Sequence, residues 1–145
     1  MPISQGTVKA LWKACFSLSE SHLKRVDELI ELFLSIYDLD LDIDEKESLL
    51  KQLAQFIAHH KEQAKKNEEI GNKCLEINDL YRKKANYEEK ICESKKEFEK
   101  LSLKKQKDSK VRSLYARIEK QYLISICDIK MKIEMEASLL RKMSV

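Results

Sequence analysis

Apolar residues recur at steps of three and four along most of the chain from Val8 to Leu140, the spacing that gathers side chains on one face of a helix. Residues 7–18 place Val8, Leu11, Trp12, Cys15 and Phe16 on such a face, with Thr7 where an N-cap is expected. Ser19 or Ser21 then opens a second run, in which Leu23, Val26, Leu29, Ile30, Phe33, Leu34 and Tyr37 form a broad apolar face. Broad faces belong to small bundles and narrow stripes to coiled coils, so residues 1–43 are expected to be a short helical head with its own core.

Residues 38–47 alternate acids with apolar positions. A calcium loop requires Gly at its sixth place and Glu at its twelfth. Counting from Asp38 gives Ile43 and Leu49, and from Asp40 gives Glu45 and Lys51. Both registers fail, and the stretch reads instead as a helix connection with Asp44 as N-cap and Glu47 as its partner three residues on.

From 44 to 103 the pattern predicts one long coiled-coil helix. Its register runs through Leu49, Leu53, Phe56, His60, Gln63, Asn67, Ile70, Cys74, Ile77, Tyr81, Lys84, Glu88, Ile91, Lys95 and Phe98. The seam weakens at 59–69 and at 82–90. Such a helix would extend ~88 Å, against a radius of gyration of ~15 Å for a compact domain of this size, so its apolar stripe needs partner helices. Residues 104–110 are all polar and form the expected break, either a turn or solvated helix. The pattern resumes over 111–145, a C-terminal coiled-coil helix carrying Val111, Leu114, Tyr115, Ile118, Tyr122, Ile126, Ile129, Ile133, Ala137 and Leu140. The expected fold is therefore all-α: a short N-terminal helical head, a long coiled-coil helix and a C-terminal helix. The expected partner interface comprises Leu49, Leu53, Phe56, Ile70, Cys74, Ile77, Tyr81, Ile91 and Phe98 on the long helix. Ile118, Tyr122, Ile126, Ile129, Ile133 and Leu140 extend it onto the last.

Composition narrows the chemistry. With two Gly and one Pro in 145 residues, no glycine-rich phosphate loop or dinucleotide fingerprint can be built. No nucleophile–base motif is present either, and neither an enzyme nor a cofactor is expected. The four cysteines lack metal-ligand spacing, and His59 and His60 point about 100° apart on a helix, with His22 remote in sequence. No metal site is expected. No apolar run reaches membrane-span length and no signal sequence is evident. Four thiols without a secretion signal suit a reducing, intracellular location.

Charge is uneven. Residues 19–50 hold ten acids against three bases, and residues 82–112 hold twelve bases against six acids. Lys104, Lys105, Lys107, Lys110 and Arg112 are candidate contacts for nucleic-acid phosphates, the competing reading being a solvated helix face. Polar residues within the seam (Gln63, Asn67, Lys84, Glu88) commonly select register and partner, which favours a hetero-oligomer.

The order of these features resembles a family. The helical head, the Leu49-Leu50-Lys51-Gln52-Leu53 start of the long helix, and the run NYEEKICESKKEFEKLSLKKQKDSKVRSLYARIEK at 86–120 are similar to subunit 7 of the THO complex. The basic interruption followed by Leu114-Tyr115-Ala116-Arg117-Ile118 belongs to the same likeness, which spans 25–140 in outline and 86–120 in letters. The resemblance implies a non-catalytic nuclear subunit, paired through its coiled coil with another subunit and supporting transcription-coupled mRNA processing and export. Two other readings compete: a coiled-coil subunit of a kinetochore, vesicle tether or type III secretion stalk, and a nucleic-acid-binding protein using the basic stretch.

Overall fold

A computed structural model of the chain describes residues 4–143 and is all-α. Its elements are α1 (Gln5–Tyr37), α2 (Ile43–Glu99), α3 (Leu103–Lys107) and α4 (Ser109–Met143). They sort into two compact units. One holds Lys9–Cys74, and the other joins the segment ending at Val8 to the segment beginning at Leu75.

The expected short helical head is instead a single 33-residue helix. Ser4, not Thr7, caps it: the Ser4 hydroxyl accepts the Thr7 amide at 3.1 Å. Neither Ser19 nor Ser21 interrupts it. Ser19 is buried, and its hydroxyl donates to the Ala64 carbonyl at 3.0 Å. With no Gly or Pro between residues 7 and 37, nothing in the backbone forces a break, and the serine is used across the helix pair. The second helix starts one residue earlier than expected, so Asp44 and Glu45 lie inside its first turn, where carboxylates oppose the positive helix end.

In the Lys9–Cys74 unit α1 and α2 run antiparallel. Phe16 lies against Gly71, Ser19 against Ala64 and His22 against His60, so partner numbers fall as chain numbers rise. Leu29, Ile36 and Leu53 form the buried cluster near the turn, with Phe33, Leu50 and Ile57 packed on it. The inward line of α1 from Trp12 through Cys15, Ser19, His22, Val26, Leu29 and Phe33 to Ile36 alternates steps of three and four. On α2 the matching line runs Leu50, Leu53, Ile57, His60, Ala64, Asn67, Gly71, Cys74. It shares Leu53, His60, Asn67 and Cys74 with the expected seam. Leu49 and Phe56, expected on the same seam, lie one position to its side and are exposed.

In the other unit α4 folds back on α2, which decides between the turn and the rod. Phe98 meets Tyr115 edge-on with ring centroids 5.2 Å apart, and Tyr87 lies 6.0 Å from Tyr122. Ile77 and Ile91 on α2, and Ile126, Ile129, Ile133, Ala137 and Leu140 on α4, are buried. At the end of α1, Gln5 donates from Nε2 to Asn78 Oδ1 at 3.1 Å.

The reversal between α2 and α4 uses no glycine, and no described residue has a positive φ. Side chains do the work that a C-terminal Gly commonly does. The Gln106 amide donates to the carbonyls of Phe98, Glu99 and Leu101 at 3.2, 3.1 and 2.9 Å, where the helical donors of α2 run out and the Leu101 amide reaches back to Phe98 at 3.1 Å. Ser102 caps α3 by accepting from the Lys105 amide. Asp108 caps α4, its Oδ1 accepting from the Lys110 amide at 2.9 Å. The polar stretch at 104–110 therefore contains helix as well as turn.

Candidate interaction surface

Much of the expected partner interface is occupied by the chain itself. Leu53, Ile70, Cys74, Ile77, Ile91, Ile126, Ile129, Ile133 and Leu140 are buried. Tyr81, Phe98, Ile118 and Tyr122 are half-buried. Only Leu49 and Phe56 of that set are open to solvent, at 40% and 56% exposure.

Leu49 and Phe56 each precede an inward residue, Leu50 and Ile57. Positions just before the inward line fall on one side of an antiparallel helix pair, as g positions do in heptad packing. On α1 the equivalent positions include Leu18 and Leu32, both about half exposed. The Lys9–Cys74 unit therefore carries an apolar flank formed by Leu18 and Leu32 from one helix and Leu49 and Phe56 from the other. Leu39 and Ile43, beside the turn, are exposed as well.

The inner polar layer between α1 and α2 was not legible in the sequence. His22 and His60 stand 38 residues apart, yet their Nδ1 atoms are 2.9 Å apart. One ring must donate and the other accept, so at least one is neutral while this bond exists. His60 is held below its ordinary value of 6.5, first by desolvation and then by the nearby His22, His59 and Arg25. The expectation that His22 is remote is thus corrected: antiparallel pairing, invisible in linear spacing, brings the two rings together. Among the described residues no group of three or more His, Cys, Asp or Glu could hold a metal ion.

Cys15 and Cys74 are buried free thiols. Burial pushes both above their ordinary value, Cys74 to about 11, with Cys15 adding a smaller electrostatic push on Cys74. A raised thiol is a poor nucleophile. Cys92 and Cys127 are exposed.

An open groove of ≈ 270 Å³ lies between α2 and α4, bordered by Lys95, Phe98, Arg112, Tyr115 and Glu119. Lys95 and Glu119 form a loose, exposed ion pair at 3.6 Å, worth little in water. The groove offers two aromatic rings and mixed charge, with no paired acid and base aimed at a common point. Lys104, Lys105, Lys107, Lys110 and Arg112 are all exposed around the α2–α4 reversal. Among the described residues no helix is long and apolar enough to cross a membrane. Comparison with protein-family models, with curated proteins and with solved structures gives no match.

Proposed function

We propose that the chain is a non-catalytic scaffold subunit of a multiprotein complex, binding a partner helix by coiled-coil packing. The observation that carries this reading is the apolar flank of the Lys9–Cys74 unit, where Leu32, Leu49 and Phe56 remain exposed beside a core that is already closed. A further helix laid along these residues would complete a three-helix layer. Covering the half of each such side chain that is still exposed contributes roughly 1 kcal/mol. The resemblance of residues 86–120 to subunit 7 of the THO complex makes a THO-like assembly in nuclear mRNA processing and export the first one to test.

The test is site-specific photocrosslinking from position 56 in the source cell, followed by reconstitution with the crosslinked chain. One stoichiometric helical partner is expected. Leu49→Glu with Phe56→Glu should abolish that complex and leave the helical content unchanged. Reconstituted binding that survives the double variant would reject the flank as the docking site. If the partner belongs to another machine, the scaffold reading stands and the THO assignment falls.

The basic reversal supports a second reading. Its five exposed cations could contact nucleic-acid phosphates through salt-sensitive binding. Changing Lys104, Lys105, Lys107 and Lys110 to Glu should remove RNA retention at low salt; unchanged retention would exclude this site.

A further inference from the structure

The end of the α2–α4 hairpin carries charge of nearly one sign. Residues 100–112 hold six bases (Lys100, Lys104, Lys105, Lys107, Lys110, Arg112) against one acid, Asp108, and all six bases are exposed. Asp108 is partly committed, since its Oδ1 accepts the Lys110 amide at 2.9 Å. Counting back to Lys95 adds two lysines and two glutamates, so eight bases stand against three acids. The chain as a whole has a net charge of only +3, so this end is more positive than the molecule that bears it.

Leucine stands among these cations. Leu103, the first residue of α3, is 73% exposed, and Leu114 is 52% exposed. The short helix α3 is fastened to α2 through Gln106 and buries no residue of its own, which leaves Leu103 in water. Leu114 borders a shallow concavity together with Lys110 and Arg117.

Three features distinguish among the anionic surfaces this end could meet. A nucleic-acid strand is held by phosphate contacts together with rings that stack on its bases, and the rings here are not free: Phe98 and Tyr115 are half-buried and meet each other edge-on at 5.2 Å. Five of the six cations are Lys, a point charge suited to a diffuse negative field, rather than Arg, whose planar fork reads single phosphates and base edges. An exposed leucine gains nothing against a phosphate backbone, whereas it gains by leaving water at a lipid interface. Attachment to an anionic bilayer scales with these two quantities together, electrostatic attraction and buried apolar area.

We propose that residues 100–112 dock on the surface of a membrane containing anionic phospholipid, with the lysines at headgroup level and Leu103 entering the boundary with the acyl chains. The contact is peripheral and reversible. It uses the same lysines as the nucleic-acid reading, which makes the two readings rivals for this end of the hairpin. It is independent of the flank at Leu49 and Phe56.

The test is cosedimentation of the full chain with vesicles of phosphatidylcholine, alone or mixed with phosphatidylserine, beside RNA retention at the same salt. The wild type should bind the mixed vesicles and leave the neutral ones, and added salt should release it. Lys104→Gln with Lys105→Gln and Lys107→Gln should weaken vesicle binding about tenfold or more. Leu103→Ser should weaken it about threefold, whereas Leu103→Phe should preserve it. Leu103→Ser should leave any RNA retention unchanged, and circular dichroism should match the wild type for every variant. Absence of a preference for anionic vesicles overturns the proposal. So does undiminished vesicle binding by Leu103→Ser, since charge alone would then account for attachment. Retention on RNA without attachment to vesicles assigns the lysines to nucleic acid and overturns it as well. None of these outcomes depends on whether a partner helix is found at position 56.

Discussion

The His22–His60 contact joins two separated residues into one polar layer between the helices. Its 2.9 Å Nδ1–Nδ1 hydrogen bond survives with one ring neutral and fails when both are charged. Because desolvation and the neighbouring His22, His59 and Arg25 lower the His60 value in the fold, the unfolded chain binds more protons between that value and 6.5. Stability therefore rises with pH across this window. The contribution is complete above 6.5 and declines as pH falls through 6.5 toward the folded value, below which it changes no further. Urea midpoints measured against pH should show this decline, and His60→Leu should flatten it. A wild-type midpoint independent of pH across the window would contradict the assignment. The cysteines give a simpler chemical readout. Cys92 and Cys127 should react promptly with an aromatic disulfide reagent at neutral pH, whereas buried Cys15 and Cys74 should react only as the chain unfolds. Gly71 marks a close approach: a Cβ there would stand 3.1 Å from two atoms of the Phe16 ring. Alanine gains helix propensity of about 1 kcal/mol and asks the ring to shift slightly. Gly71→Leu should lose about 1–3 kcal/mol, visible as a lower urea midpoint.

At the scale of the elements, the reversal between α2 and α4 is held by side chains, with Gln106 joined by the caps Ser102 and Asp108. Gln106 binds three carbonyls at the end of α2, adding to the Leu101 amide that already reaches the Phe98 carbonyl at 3.1 Å. Gln106→Leu keeps the approximate volume and removes the amide, so about 1–3 kcal/mol of stability should be lost, read as a drop in melting temperature. Gln106→Glu should also destabilise, since a carboxylate beside carbonyl oxygens repels them. A glycine-free turn of this kind escapes sequence reading because Gln106 looks like any other polar residue in a lysine-rich stretch. Periodicity did reveal the long helix and the final one, since Leu53, Ile77, Ile91, Ile129 and Ile133 repeat at helical spacing. It missed the continuity of α1 because Ser19 and Ser21 look like caps when their partners are unseen. It also placed Leu49 and Phe56 on the inner seam, one position from the line that is actually buried. Antiparallel partners on different helices were the missing information in each case, and no local spacing contains it. The candidate docking flank became visible only after that line was known.

For the molecule as a whole, intramolecular cover changes what the isolated chain should do. The sequence pattern alone demands helices to cover the long one, and it leaves their source open. In the Lys9–Cys74 unit α1 supplies that cover, around Leu29, Ile36 and Leu53. In the other unit α4 does so, burying Ile126, Ile129, Ile133, Ala137 and Leu140 along its inward face. Each of the larger residues contributes roughly 1.5–3 kcal/mol by leaving water, and helices in water gain most of their stability from such packing rather than from propensity. The chain should thus be strongly helical at micromolar concentration with no other protein present, and any association should add to a fold that already exists. Ending the chain after Asp108 tests this directly. The truncation removes α4 and exposes Ile77, Ile91 and Phe98. Circular dichroism should then show more helix lost than α4 itself accounts for, as the second half of α2 frays, and apolar dye binding should rise. A truncated chain that loses only the signal of α4 would mean that α2 holds its helix without the cover of α4.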